Sequence, residues 1–354
     1  MHVCFIALEY FGWGKYGGIG RATRDIASGL VERGVDVSVV VPLGVDQRRV
    51  EFIDGVEVHG FPLSAYPFIG GLLRDVDADV YHSQDHTLGT WLANRYRPDS
   101  VHLLTCQNPK SSEDWEKVNQ FYPTRRLLYN RFIEPQVKRC ISELDQVYCH
   151  AKYTIEKART LFDLEYEPGF LPNPVIVPDS LPKKSDEPTV LFLGRFDGEK
   201  NPEGFLRLAE RFPEVCFIAA GKSHDPEYDR MLRRKYFGLG NLSMPGFLDG
   251  VEKERVLSEA WVLVNTSISE CFPVSFLEAV AHGCSILSPH DPDGFVSRFG
   301  VNVSNDGLID GLNWLLDDER WRERGSKGYS YVREHHEKKK VIEQHLNEYE
   351  RWMG

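Results

Sequence analysis

Two glutamates in an apolar stretch are the first residues whose types and spacing suggest chemistry. Residues 268–284 read ISECFPVSFLEAVAHGC and carry Glu270 and Glu278 eight positions apart among Phe, Pro, Val, Leu, Ala and Gly. An unpaired buried charge is costly, so each acid needs a partner from the protein or from a ligand. Because a carboxylate accepts two hydrogen bonds side by side, it suits the vicinal hydroxyls of a sugar or ribose ring. We expect such hydroxyls to be the partners.

The elements around the two glutamates place them on one crevice. Residues 261–267, WVLVNTS, form a predicted buried strand, and a helix follows with Pro273 in its first turn and Gly283 at its C-terminal cap. The first acid then lies in the loop after the strand, and the second lies one to two turns into the helix. The amides of Val274 and Ser275 would face a phosphate between them. One acid per ring with a diphosphate in the middle describes a nucleotide-sugar.

A second stretch, FLGRFDGEKNPEGF at 192–205, supplies two cations in an acidic protein. A predicted strand ends at Gly194, and Arg195 and Lys200 follow in a turn-rich loop before a helix that starts near Asn201. An arginine fork and a lysine point charge together suit a diphosphate. Two solvated surface charges are the simpler interpretation, but their position at the carboxyl end of a strand favours the binding role.

A glycine-rich turn follows the first predicted strand. Gly17 and Gly18 lie where the loop of GWGKYGGIGRATRDIASGL turns into a helix, so backbone amides can approach a phosphate closely. A tight turn that needs positive φ explains the glycines as well.

Another interpretation of this turn is the nucleotide loop of short-chain dehydrogenases. Gly14, Gly18 and Gly20 spell GxxxGxG, and Tyr153 and Lys157 form a YxxxK. However, EYFGW separates the strand from the first glycine, and no acid ends the second strand to hold an adenosine ribose. We therefore interpret the YxxxK as part of an ordinary surface helix, YTIEKARTLF.

The elements that position these stretches belong to two similar halves. Short Val- and Ile-rich runs alternate with helical patterns on both sides of a segment with six prolines between residues 168 and 188, which predicts an extended linker. We expect two facing, doubly wound α/β domains of the Rossmann type, at 1–170 and 171–334, with a ligand cleft between them. The helical pattern at about 335–354 is expected to pack back on the first domain.

Composition limits the functional classes. A net charge of -11 argues against broad nucleic-acid binding. Seven scattered cysteines without a CxxC argue against a disulfide framework or a zinc site and fit a reducing compartment. The first residues lack the features of a leader, and no apolar run is long enough to span a bilayer, so we expect a cytoplasmic protein. The basic, aromatic segment 121–139 allows contact with a membrane face but fits a packed amphipathic helix equally well.

These motifs together resemble retaining glycosyltransferases of the GT-B fold, specifically the family 4 group (glycosyl transferases group 1). The resemblance spans nearly the whole chain. It rests on GGIGRAT after the first strand, GRFDGEKNPEGF after the linker, the GF of MPGFL, and ECFPVSFLEAVAHG, which matches the E-x7-E signature of that group.

The resemblance implies roles for individual residues. Glu270 would contact the hydroxyls of the donor sugar near the reacting carbon, and Glu278 the ribose hydroxyls. Arg195 and Lys200 would hold the diphosphate, so that they and Glu270 carry catalysis without a metal or other cofactor. The remaining implied donor-binding residues are Gly17, Gly18, Gly246, Phe247, Phe272, Pro273, Val274 and Ser275.

The chain also departs from the family pattern. Members usually carry a histidine two residues after a threonine near the reacting centre, but here Gln107 follows Thr105. A glutamine cannot titrate, so His82, Asp85 and His86 are considered as compensating residues on the acceptor side, although a lone histidine there is more often structural.

An acidic DxD, Asp291 and Asp293, would bind a metal in another glycosyltransferase fold but fits a polar turn here.

The predicted function is transfer of a hexosyl-type sugar from a UDP- or GDP-sugar to an acceptor hydroxyl. Two alternatives to this function remain. These are a nucleotide-sugar epimerase of the same fold and a degenerate binding subunit.

Overall fold

The chain folds into two α/β units, each built on its own sheet. Its structure is a computed structural model that describes residues 1–13, 17–44, 47–118 and 133–354. The first unit comprises residues 1–111, 133–175 and 336–354, and the second comprises 112–118 and 176–335. The predicted boundaries at 170/171 and 334/335 lie within a few residues of the observed boundaries at 175/176 and 335/336. Nothing in the sequence pattern groups residues 112–118 with the second unit.

The first unit is built on an eight-stranded sheet with the order β3-β4-β2-β1-β5-β6-β7-β8. Only the edge strand β3 is antiparallel to its neighbour, and the other neighbouring pairs are parallel. Its strands are β1 (His2–Ile6), β2 (Asp36–Pro42), β3 (Val50–Ile53), β4 (Val56–Phe61), β5 (Val80–Ser83), β6 (Val101–Cys106), β7 (Gln146–Cys149) and β8 (Gly169–Phe170). The central strands are buried along almost their whole length, which explains why they read as continuous apolar runs.

Helices connect the strands of this sheet. They are α1 (Gly18–Val31), α2 (Gly70–Val76), α3 (Leu88–Tyr96), α5 (Glu134–Ile141), α6 (Ile155–Phe162) and the C-terminal α14 (Lys338–Met353). The predicted surface helix at Tyr153 and Lys157 is confirmed as a 3-10 turn followed by α6. The basic residues Arg125, Arg126 and Arg131 and the loop residue Gly14 lie outside the described residues.

The C-terminal helix belongs to the core of the first unit. Its Ile342 packs where Gly29 of α1 leaves room, since a Cβ at that glycine would meet the Ile342 side chain at 2.5 Å. Its Tyr349 is fully buried, and the phenol oxygen lies 2.8 Å from Nδ1 of His82 on β5. A helix at the end of the sequence thus closes a core that begins with the first strand.

The second unit is built on a six-stranded parallel sheet with the order β11-β10-β9-β12-β13-β14. Its strands are β9 (Thr189–Leu193), β10 (Cys216–Ala220), β11 (Leu242–Gly246), β12 (Val262–Val264), β13 (Ser285–Ser288) and β14 (Gly300–Asn302). Its helices are α4 (Ser112–Val118), α7 (Pro202–Arg211), α8 (Pro226–Tyr236), α9 (Gly250–Glu259), α10 (Val274–Ala281), α11 (Phe295–Phe299), α12 (Leu308–Leu316) and α13 (Arg320–His335). Parallel strands place their carboxyl ends at one edge, where the candidate residues follow.

Three sequence expectations can be compared with the fold. The proline-rich segment from 171 to 188 has no helix or strand, apart from one isolated bridge between Val175 and Glu337. All seven cysteines are free thiols. In the described ranges, no helix has the length and apolar character needed to cross a membrane.

Candidate functional site

The two glutamates of the E-x7-E pattern lie beyond the carboxyl end of β12. Glu270 is in the loop after this strand, and Glu278 is the fifth residue of α10. The neighbouring strand β9 ends just before the loop that carries Lys200. Asn201 and Thr266 tie the two loops together, because the Asn201 amide donates to the Thr266 carbonyl at 3.2 Å and the Thr266 hydroxyl donates to the Asn201 carbonyl at 2.7 Å. The fold therefore brings Lys200 to Glu270.

Three donors converge on one oxygen of Glu270. Its Oε1 accepts from Lys200 Nζ at 2.6 Å, Ser267 Oγ at 2.6 Å and Asn265 Nδ2 at 3.1 Å. Burial acts to raise the pKa of the Glu270 carboxyl, but the Lys200 ammonium and these hydrogen bonds outweigh it and hold the pKa below its ordinary value. The side chain is a charged carboxylate with a fixed orientation.

The second oxygen of Glu270 remains available. No group in the described part of the chain donates to Oε2, and this atom is not among the buried polar atoms that lack a partner. An oxygen that is neither sealed nor bonded can accept from a ligand hydroxyl.

Glu278 has the same arrangement with a different lysine. Its Oε1 lies 2.7 Å from Nζ of Lys253, which comes from α9, and the two side chains are 14% and 8% exposed. Among described residues, no donor contacts its Oε2. Each acid thus has a lysine from the protein on one oxygen, which the sequence did not predict. The expectation that ligand hydroxyls are partners of both acids stays a prediction.

Arg195 lies in a different charge cluster from Lys200. Its Nη1 donates to Asp197 Oδ2 at 2.8 Å and lies 3.4 Å from Nδ1 of His224. Burial opposes ionisation of Asp197, but hydrogen bonds from His224 and the charge of Arg195 lower the Asp197 pKa below its ordinary value. The two predicted cations are thus each countered by a carboxylate and are not two free charges in one pocket.

The start of α10 has the predicted local structure. Pro273 is the N-cap residue, one position before the first turn in which it was expected, and Gly283 follows the helix with φ +78, as a C-terminal glycine should. For the amides of Val274 and Ser275, no acceptor occurs in the described chain. Phe272 is buried and packs edge to face on Phe295, with ring centroids 5.1 Å apart. These amides are free to meet an anion.

Gly246 and Phe247 stand at the carboxyl end of β11. Gly246 has φ +91, and a Cβ there would meet nothing within 4 Å. The Phe247 ring is 40% exposed and lies below Lys222 Nζ, 5.8 Å from it. An exposed aromatic face of this kind can stack against a planar base.

The glycine turn of the first unit contradicts the positive-φ interpretation at Gly17, whereas the phosphate-binding role of Gly17 and Gly18 stays a prediction. Gly17 has φ -142 and is the N-cap of α1, so positive φ is not the reason for this glycine. The Glu9 carboxylate occupies the space where a Cβ would lie, and its Oε1 accepts from the Gly20 amide at 3.0 Å. The glycines at 17 and 18 thus leave room at the start of α1 for the Glu9 carboxylate.

The expected acceptor-side residues divide into two groups. His82 is fully buried, with Nδ1 at 2.8 Å from Tyr349 Oη and Nε2 at 2.8 Å from Thr105 Oγ1. Burial, followed by the neighbouring His345, puts its pKa well below the ordinary value. His82 is a core residue, and its interpretation as an acceptor-side residue is wrong.

Asp85, His86 and Gln107 lie together at the ends of β5 and β6. Asp85 Oδ1 is 2.8 Å from His86 Nδ1, and Gln107 donates to the Gln84 side chain at 3.2 Å. Although burial opposes both shifts, the pairing lowers the pKa of Asp85 and raises that of His86. With Cys106, this pair places three potential metal-ligand atoms within 4.8 Å of one another.

The DxD motif is part of a helix start. Asp291 Oδ1 accepts from the amides of Val296 at 2.7 Å and Ser297 at 3.1 Å. Asp293 has φ +53 within the preceding turn. The interpretation of this motif as a polar turn agrees with the structure.

Sequence reasoning missed the residues that hold the two acids. Asn265 and Ser267 follow β12 directly, so their position after a strand was a usable signal. Lys253 lies 25 residues before its partner on another helix, and no local pattern marks it.

Comparisons with known proteins show which family and fold the chain resembles. The family model of glycosyl transferases group 1 matches residues 177–328, and that of glycosyltransferase family 4 matches residues 16–175. One of the subunits of the human phosphatidylinositol N-acetylglucosaminyltransferase is 19% identical over 308 residues, 81% of this chain and 61% of that protein. The chain thus spans under two thirds of the length of this relative.

Solved structures share the fold over the whole chain. Sucrose-phosphate synthase from Thermosynechococcus elongatus superposes with a TM-score of 0.75 and 17% identity, covering 99% of this chain and 98% of that one. HepE from Anabaena, in complex with UDP-glucose, has a TM-score of 0.72 and 15% identity, with 99% of each chain covered. Two parallel-sheet units with these matches define a GT-B glycosyltransferase fold. The chain belongs to the family 4-type glycosyltransferases, the glycosyl transferases group 1.

Proposed function

We propose that the protein transfers a hexosyl-type sugar from a UDP- or GDP-sugar to an acceptor hydroxyl, with retention of anomeric configuration and without a metal. The observation that carries the proposal is the shared arrangement of Glu270 and Glu278. Each has one oxygen held by a lysine and one oxygen available, at the same end of the second sheet. Two fixed acceptors of this kind suit two hydroxyl-bearing rings of one ligand.

The charges around the acids support departure of a diphosphate. The Lys200 ammonium, the Arg195 guanidinium and the free amides at the start of α10 are all donors near the strand ends, and such groups stabilise a developing phosphate charge without a metal. In the retaining reaction, the leaving phosphate oxygen takes the acceptor proton on the face that it leaves. The new glycosidic bond then forms on that same face.

Uridine diphosphate sugars are the first donors to test. The human relative is named for N-acetylglucosaminyl transfer, and HepE was solved with UDP-glucose, so UDP-sugars are the first candidates. Seven free thiols support a reducing, cytoplasmic setting. Thermal-shift measurements with UDP, GDP, ADP and their sugars identify the base, and NMR of the product's anomeric proton identifies the stereochemistry.

Variants test the residues that are proposed to act. Lys200→Ala and Arg195→Ala should each lower turnover by at least about 100-fold, because each removes a charge that stabilises the leaving group. Lys183→Ala is the matched control, since Lys183 is 86% exposed and paired with Asp186. Full activity of both site variants, or complete loss of activity in EDTA, contradicts the proposal.

A further inference from the structure

The backbone of Ser267 is held by a histidine from the neighbouring strand of the sheet. His290 lies two positions after β13, and its Nε2 is 2.8 Å from the carbonyl oxygen of Ser267, which lies three positions after β12. A carbonyl can only accept, so Nε2 carries the proton and donates. In the described part of the chain, the ring makes no other hydrogen bond. The contact with Ser267 is therefore the one polar interaction that fixes the imidazole.

His290 is also the one donor to a buried carbonyl. Ser267 is 1% exposed, and within the described ranges no second group donates to its carbonyl oxygen. The loss of a donor to a buried carbonyl is costly, so without the imidazole the loop must move to regain a partner. The His290 backbone is anchored in turn, because its amide donates to the Ser288 hydroxyl at 3.0 Å at the end of β13. The position of the Ser267 backbone thus depends on β13.

The side chain of Ser267 links this backbone to Glu270. Its hydroxyl donates to Oε1 at 2.6 Å, beside the Lys200 ammonium and the Asn265 amide. Those two donors have their own supports, since Lys200 comes from the loop after β9 and the Asn265 backbone amide donates to the Leu287 carbonyl at 2.9 Å. Of the three bonds to Oε1, the one from the hydroxyl is therefore the bond that a shift of the Ser267 carbonyl breaks.

We propose that His290 is a positioning residue that acts through Ser267 to orient the Glu270 carboxylate towards the sugar of the donor. The inference rests on the proposed function, in which Glu270 contacts the sugar hydroxyls. It gives the loop after β13 a part in recognition of the sugar, although His290 itself does not touch the ligand. Binding of the nucleoside diphosphate alone should not depend on this residue.

Two ligands separate this role from a general loss of structure. Isothermal titration compares UDP with UDP-glucose, or the corresponding pair for the base that binds best, on the wild type and on His290→Phe. The phenyl ring keeps the shape but lacks the donor, so the sugar nucleotide should bind about 3- to 10-fold more weakly, the worth of one hydrogen bond. The nucleoside diphosphate should bind within about 2-fold of the wild type. Equal losses for both ligands, or no loss for either, overturn the inference and leave the proposed function intact. Failure of the wild type to bind any nucleoside diphosphate or its sugar removes the proposed function and this inference with it.

Further variants test whether the effect passes through Ser267. His290→Gln offers an amide N–H in place of Nε2–H and should restore affinity for the sugar nucleotide to within about 2-fold of the wild type. In a Ser267→Ala background the hydroxyl is already absent, so His290→Phe should cause less than about 2-fold further loss. His335→Phe is the matched control, because His335 is 49% exposed and should leave both affinities unchanged. A Gln variant as weak as the Phe variant, or a full 3- to 10-fold further loss in the Ser267→Ala background, contradicts the inference.

Discussion

The buried histidine His345 should make the free energy of unfolding depend on pH. It lies on α14 and is 1% exposed. Its Nδ1 is 3.3 Å from the Tyr349 oxygen, and its Nε2 has no partner in the described structure. Burial lowers its pKa from 6.5 to about 3. The folded protein therefore keeps this ring neutral at pH values where the unfolded chain binds a proton.

The sign and size of the effect follow from these two pKa values. Above pH 6.5 the ring is neutral in both states and costs nothing. As pH falls from 6.5 towards 3, the unfolded state gains a proton that the folded state does not, so the free energy of unfolding decreases. At about 1.4 kcal/mol per pH unit, His345 alone removes about 2 kcal/mol at about pH 5. His82 acts in the same direction, since its pKa is also lowered.

Urea unfolding followed by circular dichroism at about pH 7.5, 6 and 5 measures this loss. The variant His345→Gln cannot titrate and should lose about 2 kcal/mol less than the wild type over that range. His335→Gln is the control, because His335 is 49% exposed and should follow the wild-type curve. A wild-type pH dependence in the His345 variant refutes the reasoning.

Three other perturbations probe the site and the core. Ser267→Ala removes one of three donors to Oε1 of Glu270 and should weaken binding of the best nucleoside diphosphate sugar by about 3- to 10-fold in titration, the worth of one hydrogen bond; unchanged affinity for the sugar nucleotide argues against this contact. Gly29→Ala forces a Cβ against Ile342 and should lower the urea-derived free energy of unfolding by about 1–3 kcal/mol, whereas Gly238→Ala, where a Cβ meets nothing within 4 Å, should not. Turnover should persist in EDTA. If turnover is lost in EDTA and only an added divalent metal restores it, the result would point to a metal at the Asp85 cluster instead.

The fold was largely predictable because its strands are buried on both faces. Runs such as β2 and β12 consist mainly of Val and Leu, so they could be predicted as buried strands from the sequence. Shorter elements were not predictable in the same way. The antiparallel edge strand β3 alternates exposed and half-buried residues over only four positions, and α4 carries charges on most of its seven residues. Tertiary contacts decide the placement of such segments.

The candidate site was predictable in position but not in pairing. Parallel strands bring their carboxyl ends to one edge, so the acids, Lys200 and Gly246 could be assigned to that edge from the sequence. The pairing of charges depends on distances between separate helices. Thus Lys253 was missed, and Arg195 was grouped with Lys200 although its contacts are Asp197 and His224.

The glycine turn of the first unit is another place where the sequence did not predict the pairing of a charge. This pairing also affects whether a diphosphate can bind there. A glycine at a helix start suggests space for a phosphate, but here the space is taken by the Glu9 carboxylate, which accepts from the Gly20 amide. An acid at that point already satisfies the positive helix end. For a diphosphate to reach the Gly17 backbone, Glu9 must first move away, since two anions cannot share the same amides. Any role of this turn in donor binding therefore includes a rearrangement of Glu9, whereas the lysine-held acids of the second unit need none.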